Sequence, residues 1–373
     1  MKKIILIVFS LLINFTIQAQ TFVFVGSYNV DKTKEGIYVF ELDTLNGTLT
    51  KVASVKDILN PSFFTLTKDG KYLYSCTDTR TKNSGSVSCF EFNATSKSLS
   101  LLNTQKTGGE NPVYVALDKS EGFLLNANYN DGSISVYPIN TDKSIGAVSQ
   151  FISYQDSSIN KQRQERSHIH STVFSPDYNY VFLPDLGADK IRAYKFDTSQ
   201  NQPLQIAEDP FTKTVAGSGP RHFVFHPNKK FAYCIEELSG TVNAYRYKNG
   251  KLDSIQRIST HKKKHDEQLS SADIHISPDG RFLYASNRNT ENNIAIFFIN
   301  ENGTLKPVAH QSTFGKTPRI FGLDEQGKFL IVANQSTGNI VVFKRNAKTG
   351  LLKKVKSNIQ VPNASCVQIK QYN

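Results

Sequence analysis

The sequence predicts an all-β fold, a seven-bladed β-propeller with four antiparallel strands per blade. Three observations carry that prediction. A segment of one pattern recurs seven times at intervals of roughly 50 residues, the spacing of propeller, solenoid or array repeats. Within each recurrence apolar residues alternate with a period of two, not 3.6. Asp-Gly and Asn-Gly dipeptides such as Asp69-Gly70, Asp279-Gly280, Asn249-Gly250 and Asn302-Gly303 separate the alternating runs, as tight turns between strands do. No stretch carries a sustained helical stripe, which excludes helical repeats.

The segments follow in chain order. Pro61 opens PSFFTLTKDGKYLYSC and Pro112 opens PVYVALDKSEGFLLNAN. Ile169 opens IHSTVFSPDYNYVFLPD and Pro220 opens PRHFVFHPNKKFAYCIE. Ser271 opens SADIHISPDGRFLYASN and Pro318 opens PRIFGLDEQGKFLIVAN. Each supplies two strands around a turn, and a second pair follows. GSISVY from Gly132, NIAIF from Asn293 and NIVVF from Asn339 are examples of third strands. The seventh segment, from Pro362, offers one strand before the chain stops. Residues 22–55 offer three strands that lack an innermost partner. Ala364–Ile369 is expected to supply it, so that both ends share a blade and close the ring. One domain from residue 20 to 373 follows, although length alone would suggest two or three.

Composition narrows the class. Hydrophobic residues make up 39% and charged residues 20% of the 373, which excludes a polytopic membrane protein and a disordered chain. Phe (25) and Tyr (16) are abundant and favour strands. The formal charge of +12 argues for attraction to anions. No basic block exceeds Lys262-Lys263-Lys264 and no basic, aromatic-bearing strip is visible, so nucleic acid is not an expected partner. Lys2 and Lys3, an apolar run from Ile4 to Leu12 that continues to Ile17, and the small residue Ala19 form a secretory signal over residues 1–19. The run is too short to span a bilayer. A periplasmic or secreted monomer with no membrane span after signal removal is expected.

Export permits disulfides. Cys76 and Cys89 could face each other across a hairpin, but Cys76, Cys89, Cys234 and Cys366 read better as buried small apolar residues in strands. No zinc spacing, P-loop, dinucleotide fingerprint or Gly-x-Ser-x-Gly is present, and no cofactor is called for.

Innermost strands of a propeller converge on its axis. Polar groups cluster at the starts of these strands and after the second strands: His168, His170, Arg221, His222, Glu236, Glu237, Asp273, His275, Arg288 and Arg319, with Asn126, Asn128, Asn287 and Asn334 at matching places. Unpaired charges there would be costly. The set reads as a shared polar funnel, or else as ion pairs tying neighbouring blades together. The unequal charges among the repeats favour the funnel. His168 and His170 resemble a metal pair but lack a third ligand. Asp273 and His275 share a strand face and suggest a structural hydrogen bond. His261 and His265, in a Lys-rich loop, are expected to face solvent.

GSGPRHFVFHPNKKFAYCIEEL (from Gly217), ADIHISPDGRFLYASNR, HSTVFSPD, PRIFGLDEQGKFLIVAN and VGSYN occur in the order found in the bacterial seven-bladed propeller lactonases. These include the 6-phosphogluconolactonases of that type, and the fungal carboxymuconate-lactonizing enzymes are relatives. The resemblance spans nearly the whole chain after residue 20. It implies lactone-ring chemistry without an obligatory metal and a small-molecule lactone or sugar-acid substrate. It also implies an active set at the matching positions His170, Arg221, Glu237 and Arg288. Arg319 competes with Arg288, and Glu236 replaces a more usual neutral residue. His168, His222, His275 and Arg319 are the expected substrate-binding residues. The expected reaction is hydrolysis by a water activated through a general base, His170 or Glu237, with arginine stabilisation of the oxyanion. A binding propeller without catalysis, a protein-interaction platform, a metal- or quinone-dependent propeller and a lactonizing cyclase are the alternatives.

Overall fold

The computed structural model describes residues 19–262, 269–357 and 359–372. The expected signal segment up to residue 18, and His265, lie outside the described residues. The chain forms seven sheets and, among the described residues, no helix.

Blade 1 has the order Ala364–Tyr372, Gln20–Ser27, Ile37–Leu42, Leu49–Val55. The C-terminal strand is innermost and pairs antiparallel with the first strand from Gln20↔Tyr372 to Ser27↔Ala364. The shared closing blade is therefore present, with a strand three residues longer than the sequence suggested. Blades 2 to 7 run outward in chain order from Phe63–Leu66, Pro112–Leu117, Val173–Phe174, Pro220–Phe225, Ser271–Ile276 and Pro318–Leu323. The outermost strand of blade 7 is split into Leu352–Lys354 and Ile359–Gln360, both pairing with Asn339–Arg345.

Each blade buries both faces against its neighbours, which is why its middle strands are almost wholly buried: Phe231–Glu236 and Phe329–Asn334 are buried at every residue. Repeated side-chain chemistry staples blade to blade. The hydroxyl of Tyr74 donates to Lys143 O at 2.8 Å, that of Tyr233 to Gly303 O at 2.9 Å and that of Tyr284 to Gly350 O at 2.9 Å. Gly303 and Gly350 have φ of 84° and 74°, and a Cβ on either would collide with the rings of Phe231 and Phe282 in the preceding blade. Glycine is needed there for both conformation and approach.

All four cysteines are buried and free. Cys76 lies opposite Val87 and Cys89 opposite Tyr74, so the two thiols are out of register for a bridge. His261 corrects the sequence reading: it is buried, because its ring packs against Gly240, with Ser271 Oγ at 3.3 Å from Nε2.

Candidate active site

Two devices aim side chains at one mouth of the channel. The first is a β-bulge near the start of the inner strand. In blade 5, Pro220 pairs with Glu236 and His222 with Ile235, leaving Arg221 as the extra residue. Blade 7 repeats this around Arg319 (Pro318↔Asn334, Ile320↔Ala333), and blade 3 around Val113. A bulge turns one side chain out of the ladder, which suits a site. The second device is the residue immediately after the second strand. Tyr28, Tyr129, Glu237 and Arg288 occupy that place in blades 1, 3, 5 and 6.

The mouth encloses a cavity of about 470 Å³ whose lining includes Tyr28, Arg80, Tyr129, Arg163, His170, Glu237, Arg288 and Arg319. Among the described residues Glu237 is the one carboxylate that lines it. Its Oε2 lies 2.9 Å from Arg221 Nε and 3.0 Å from an Arg288 terminal nitrogen, and its Oε1 accepts from Arg163 at 2.7 Å. Burial pushes the Glu237 carboxyl up, but the guanidinium groups of Arg288, Arg221 and Arg163 outweigh this and hold it well below the usual carboxylate range. Burial, with Arg319 and Arg288 nearby, pushes Arg221 down to about 9, so it remains cationic at neutral pH.

His170 is buried and its Nδ1 has no hydrogen-bond partner. Burial, then the positive charges of Arg221, His222 and Arg319, hold its pKa well below the ordinary histidine value. The imidazole is neutral at pH 7 and borders the cavity. Glu236, the other acid of the pair, points elsewhere and binds Arg257 Nε at 2.7 Å. Of the two acids it is Glu237, the residue just past the strand end, that lines the cavity.

Arg221, an expected catalytic residue, is fully buried and is not among the residues that line this cavity, and three expected substrate-binding residues also fall outside it. His168 lies behind Tyr129, its ring stacked on the tyrosine at 4.4 Å and its Nδ1 2.7 Å from Tyr129 O. His222 and His275 line a smaller cavity, about 290 Å³, together with Phe63, Tyr114 and Asp273. They form a buried chain: Arg221 donates to His222 Nε2 at 3.1 Å, His222 Nδ1 lies 2.7 Å from Asp273 Oδ1, and His275 Nε2 lies 3.0 Å from Asp273 Oδ2. The expected Asp273–His275 hydrogen bond is present. Burial with Arg221 pushes His222 down to about 4, so it is neutral and accepts the Arg221 proton through Nε2. The site and this chain are continuous through Arg221.

Sequence reasoning missed Tyr28, Arg80, Tyr129 and Arg163. The first and third occupy the same post-strand place as Glu237 and Arg288, so extending that equivalence to every blade would have found them. Arg163 comes from an irregular loop, where its backbone N–H donates to Asn160 Oδ1 at 3.2 Å, and has no repeat counterpart. Among the described residues no group of three or more His, Cys, Asp or Glu is placed to hold a metal ion.

The family model for "Lactonase, 7-bladed beta-propeller" matches residues 22–369. A 6-phosphogluconolactonase of Formosa agariphila is 42% identical over 352 residues, covering 94% of this chain and 99% of that protein. A 6-phosphogluconolactonase of Bacillus subtilis is 34% identical, covering 92% and 97%. The solved structure of a periplasmic gluconolactonase of Pseudomonas aeruginosa superposes with a TM-score of 0.89 at 32% identity, covering 94% of this chain and 99% of that one. With its closed ring of seven four-stranded blades, this chain belongs to the seven-bladed β-propeller lactonase family.

Proposed function

We propose that the protein hydrolyses the cyclic ester of a sugar acid in the cavity bounded by His170, Glu237 and Arg288. The observation that carries this is a neutral buried imidazole beside a cluster of guanidinium groups in one concave site. Lactone hydrolysis needs a base for water, stabilisation of the tetrahedral oxyanion and a proton for the departing alkoxide. His170 takes the proton from water and returns it to the ring oxygen, as a neutral imidazole can. Arg288, on the cavity wall, stabilises the oxyanion and Arg221, buried against Glu237, adds its positive charge from beneath the lining, since a fixed guanidinium gains where negative charge develops. Glu237 serves as the anchor for Arg163, Arg221 and Arg288. With its pKa held so low by three cations, it is a poor proton acceptor. No metal or cofactor enters this scheme.

The names of the Formosa, Bacillus and Pseudomonas proteins support this substrate class. We further read residues 1–19 as an export signal and the enzyme as a periplasmic or secreted monomer. In support, the first strand of the ring starts at Gln20, right after Ala19, and the Pseudomonas structure is a periplasmic protein. Among the described residues no helix is long and apolar enough to cross a membrane. The test is a panel of aldonolactones, with and without phosphate, followed as acid release in weakly buffered solution. Turnover well above spontaneous hydrolysis supports the reading. Tight binding of sugar acids without turnover would point to a binding propeller instead.

A further inference from the structure

We propose that Arg80 and Arg319, gathered on the ring of Tyr28, form a subsite for an anionic group on the substrate, across the cavity from the reacting ester. This rests on the hydrolase reading above and specifies which lactones the site selects. All three residues line the same cavity as His170, Glu237 and Arg288. The Arg80 guanidinium carbon lies 3.8 Å and that of Arg319 5.2 Å from the centroid of the buried Tyr28 ring.

The charge balance of the cavity is the first argument. Arg163, Arg221 and Arg288 share the single carboxylate of Glu237. Among the described residues Arg80 and Arg319 have no carboxylate within ion-pair distance. The nearest acid in sequence, Asp78, is occupied by Ser86 Oγ at 2.6 Å and Lys106 Nζ at 3.4 Å. Two guanidinium groups converge on one tyrosine with no counter-charge among the described residues, and like charges so placed favour an incoming anion. A ring face leaves the planar edge of a guanidinium free to fork onto phosphate or carboxylate oxygens.

Position in the ring is the second argument. Tyr28, Arg80 and Arg319 belong to blades 1, 2 and 7, whereas His170, Glu237 and Arg288 belong to blades 4, 5 and 6. A seven-membered ring sets these groups of blades against each other, so one substrate would present its ester to one wall and its charge to the other. Arg319 also helps depress the protonation of His170 and Arg221, so an anion on Arg319 would reach the reacting wall electrostatically as well.

The experiment compares kcat/KM for a neutral aldonolactone, its terminal phosphate ester and an analogue with a terminal carboxylate. It uses wild type, Arg80→Ala, Arg80→Lys and Arg319→Ala. Wild type is expected to prefer an anionic lactone. That preference should fall about 10- to 100-fold in either alanine variant, the scale of one charge-assisted hydrogen bond, and be partly kept in Arg80→Lys. Preference for the phosphate or for the carboxylate arm assigns the anion. No preference in wild type, or an equal loss on charged and neutral lactones, overturns the subsite. Should no lactone be turned over, the hydrolase reading fails, and calorimetric titration with gluconate and 6-phosphogluconate decides the subsite by itself. Tighter binding of the phosphorylated acid, lost in Arg80→Ala, supports it, and equal affinities overturn it.

Discussion

His170 owes its neutrality to burial beside Arg221 and Arg319, without a carboxylate of its own. A base so placed is ready at pH 7 and needs no prior deprotonation. Replacing it with alanine is expected to lower kcat/KM by about 10²–10⁴-fold. A loss under tenfold in a variant with wild-type circular dichroism would remove it from the base role. The pH profile should show one acid limb, set by His170. On that limb the rate should fall as pH drops through a value below the ordinary histidine pKa of about 6.5, and a separate alkaline fall is expected as Arg221 loses its charge near 9. An acid limb centred above pH 7 would mean that another group is the base. The sequence made His170 conspicuous by its place at a repeat anchor, but its protonation state depends on neighbours from other blades.

At the scale of the strand, the inner-strand bulge is the device that builds the site. It takes Arg221 and Arg319 out of the strand's regular alternation, and no period-two pattern can reveal it. Two residues further along the inner strand of blade 6 than its opening Ser271, Asp273 joins three blades: it binds His222 of blade 5, His275 of its own strand and the Phe321 N–H of blade 7 at 3.0 Å. Asp273→Asn keeps the volume but leaves one of those donors facing an amide N–H. A loss of about 1–3 kcal/mol in urea unfolding is expected. Burial lowers the His275 pKa and Asp273 outweighs this to raise it, so the same substitution should lower it. An NMR titration of the His275 ring protons reads that directly, and an unmoved His275 would refute the coupling.

For the whole molecule, closure through the C-terminal strand is the decisive contact. Ala364, Cys366 and Val367 are buried, and the strand supplies the inner edge of blade 1. Ending the chain at Asn363 removes an entire ladder. The loss is comparable to the ~5–15 kcal/mol by which domains are stable, so the cooperative thermal transition should disappear. A truncated chain that melts like wild type would show that the ring closes some other way. Acid should also weaken the ring. His222 is held near 4 in the folded state, against about 6.5 unfolded. Above pH 6.5 both states are neutral and its contribution is intact. Between pH 6.5 and 4 the unfolded chain takes a proton that the folded one refuses. Stability therefore falls by on the order of 3 kcal/mol across that window. His170 acts in the same sense, while His275, with its raised pKa, opposes in part. The urea midpoint should be lower at pH 5 than at pH 7.5, and the difference should shrink in His222→Gln. A higher midpoint at pH 5 would reverse the assignment.

The sequence by itself determined the number of blades and the closing blade, and it singled out His170, Glu237, Arg288 and Arg319, which line one cavity. Repeat spacing, period-two alternation and turn dipeptides are local properties, and a propeller consists of local hairpins set side by side. The positions of Tyr28 and Tyr129 were legible in the same repeats once their equivalence to Glu237 and Arg288 is recognised. Only the tertiary structure decided that Glu237 and not Glu236 faces the cavity, that Arg163 reaches Glu237 from an irregular loop, and that His222 and His275 line a separate, smaller cavity. It also moved His168 behind Tyr129 and buried His261. Each of these depends on which blades converge on one mouth and on single-residue bulges that reverse a side chain. Neither the meeting of distant segments nor a bulge leaves a periodic trace along the chain.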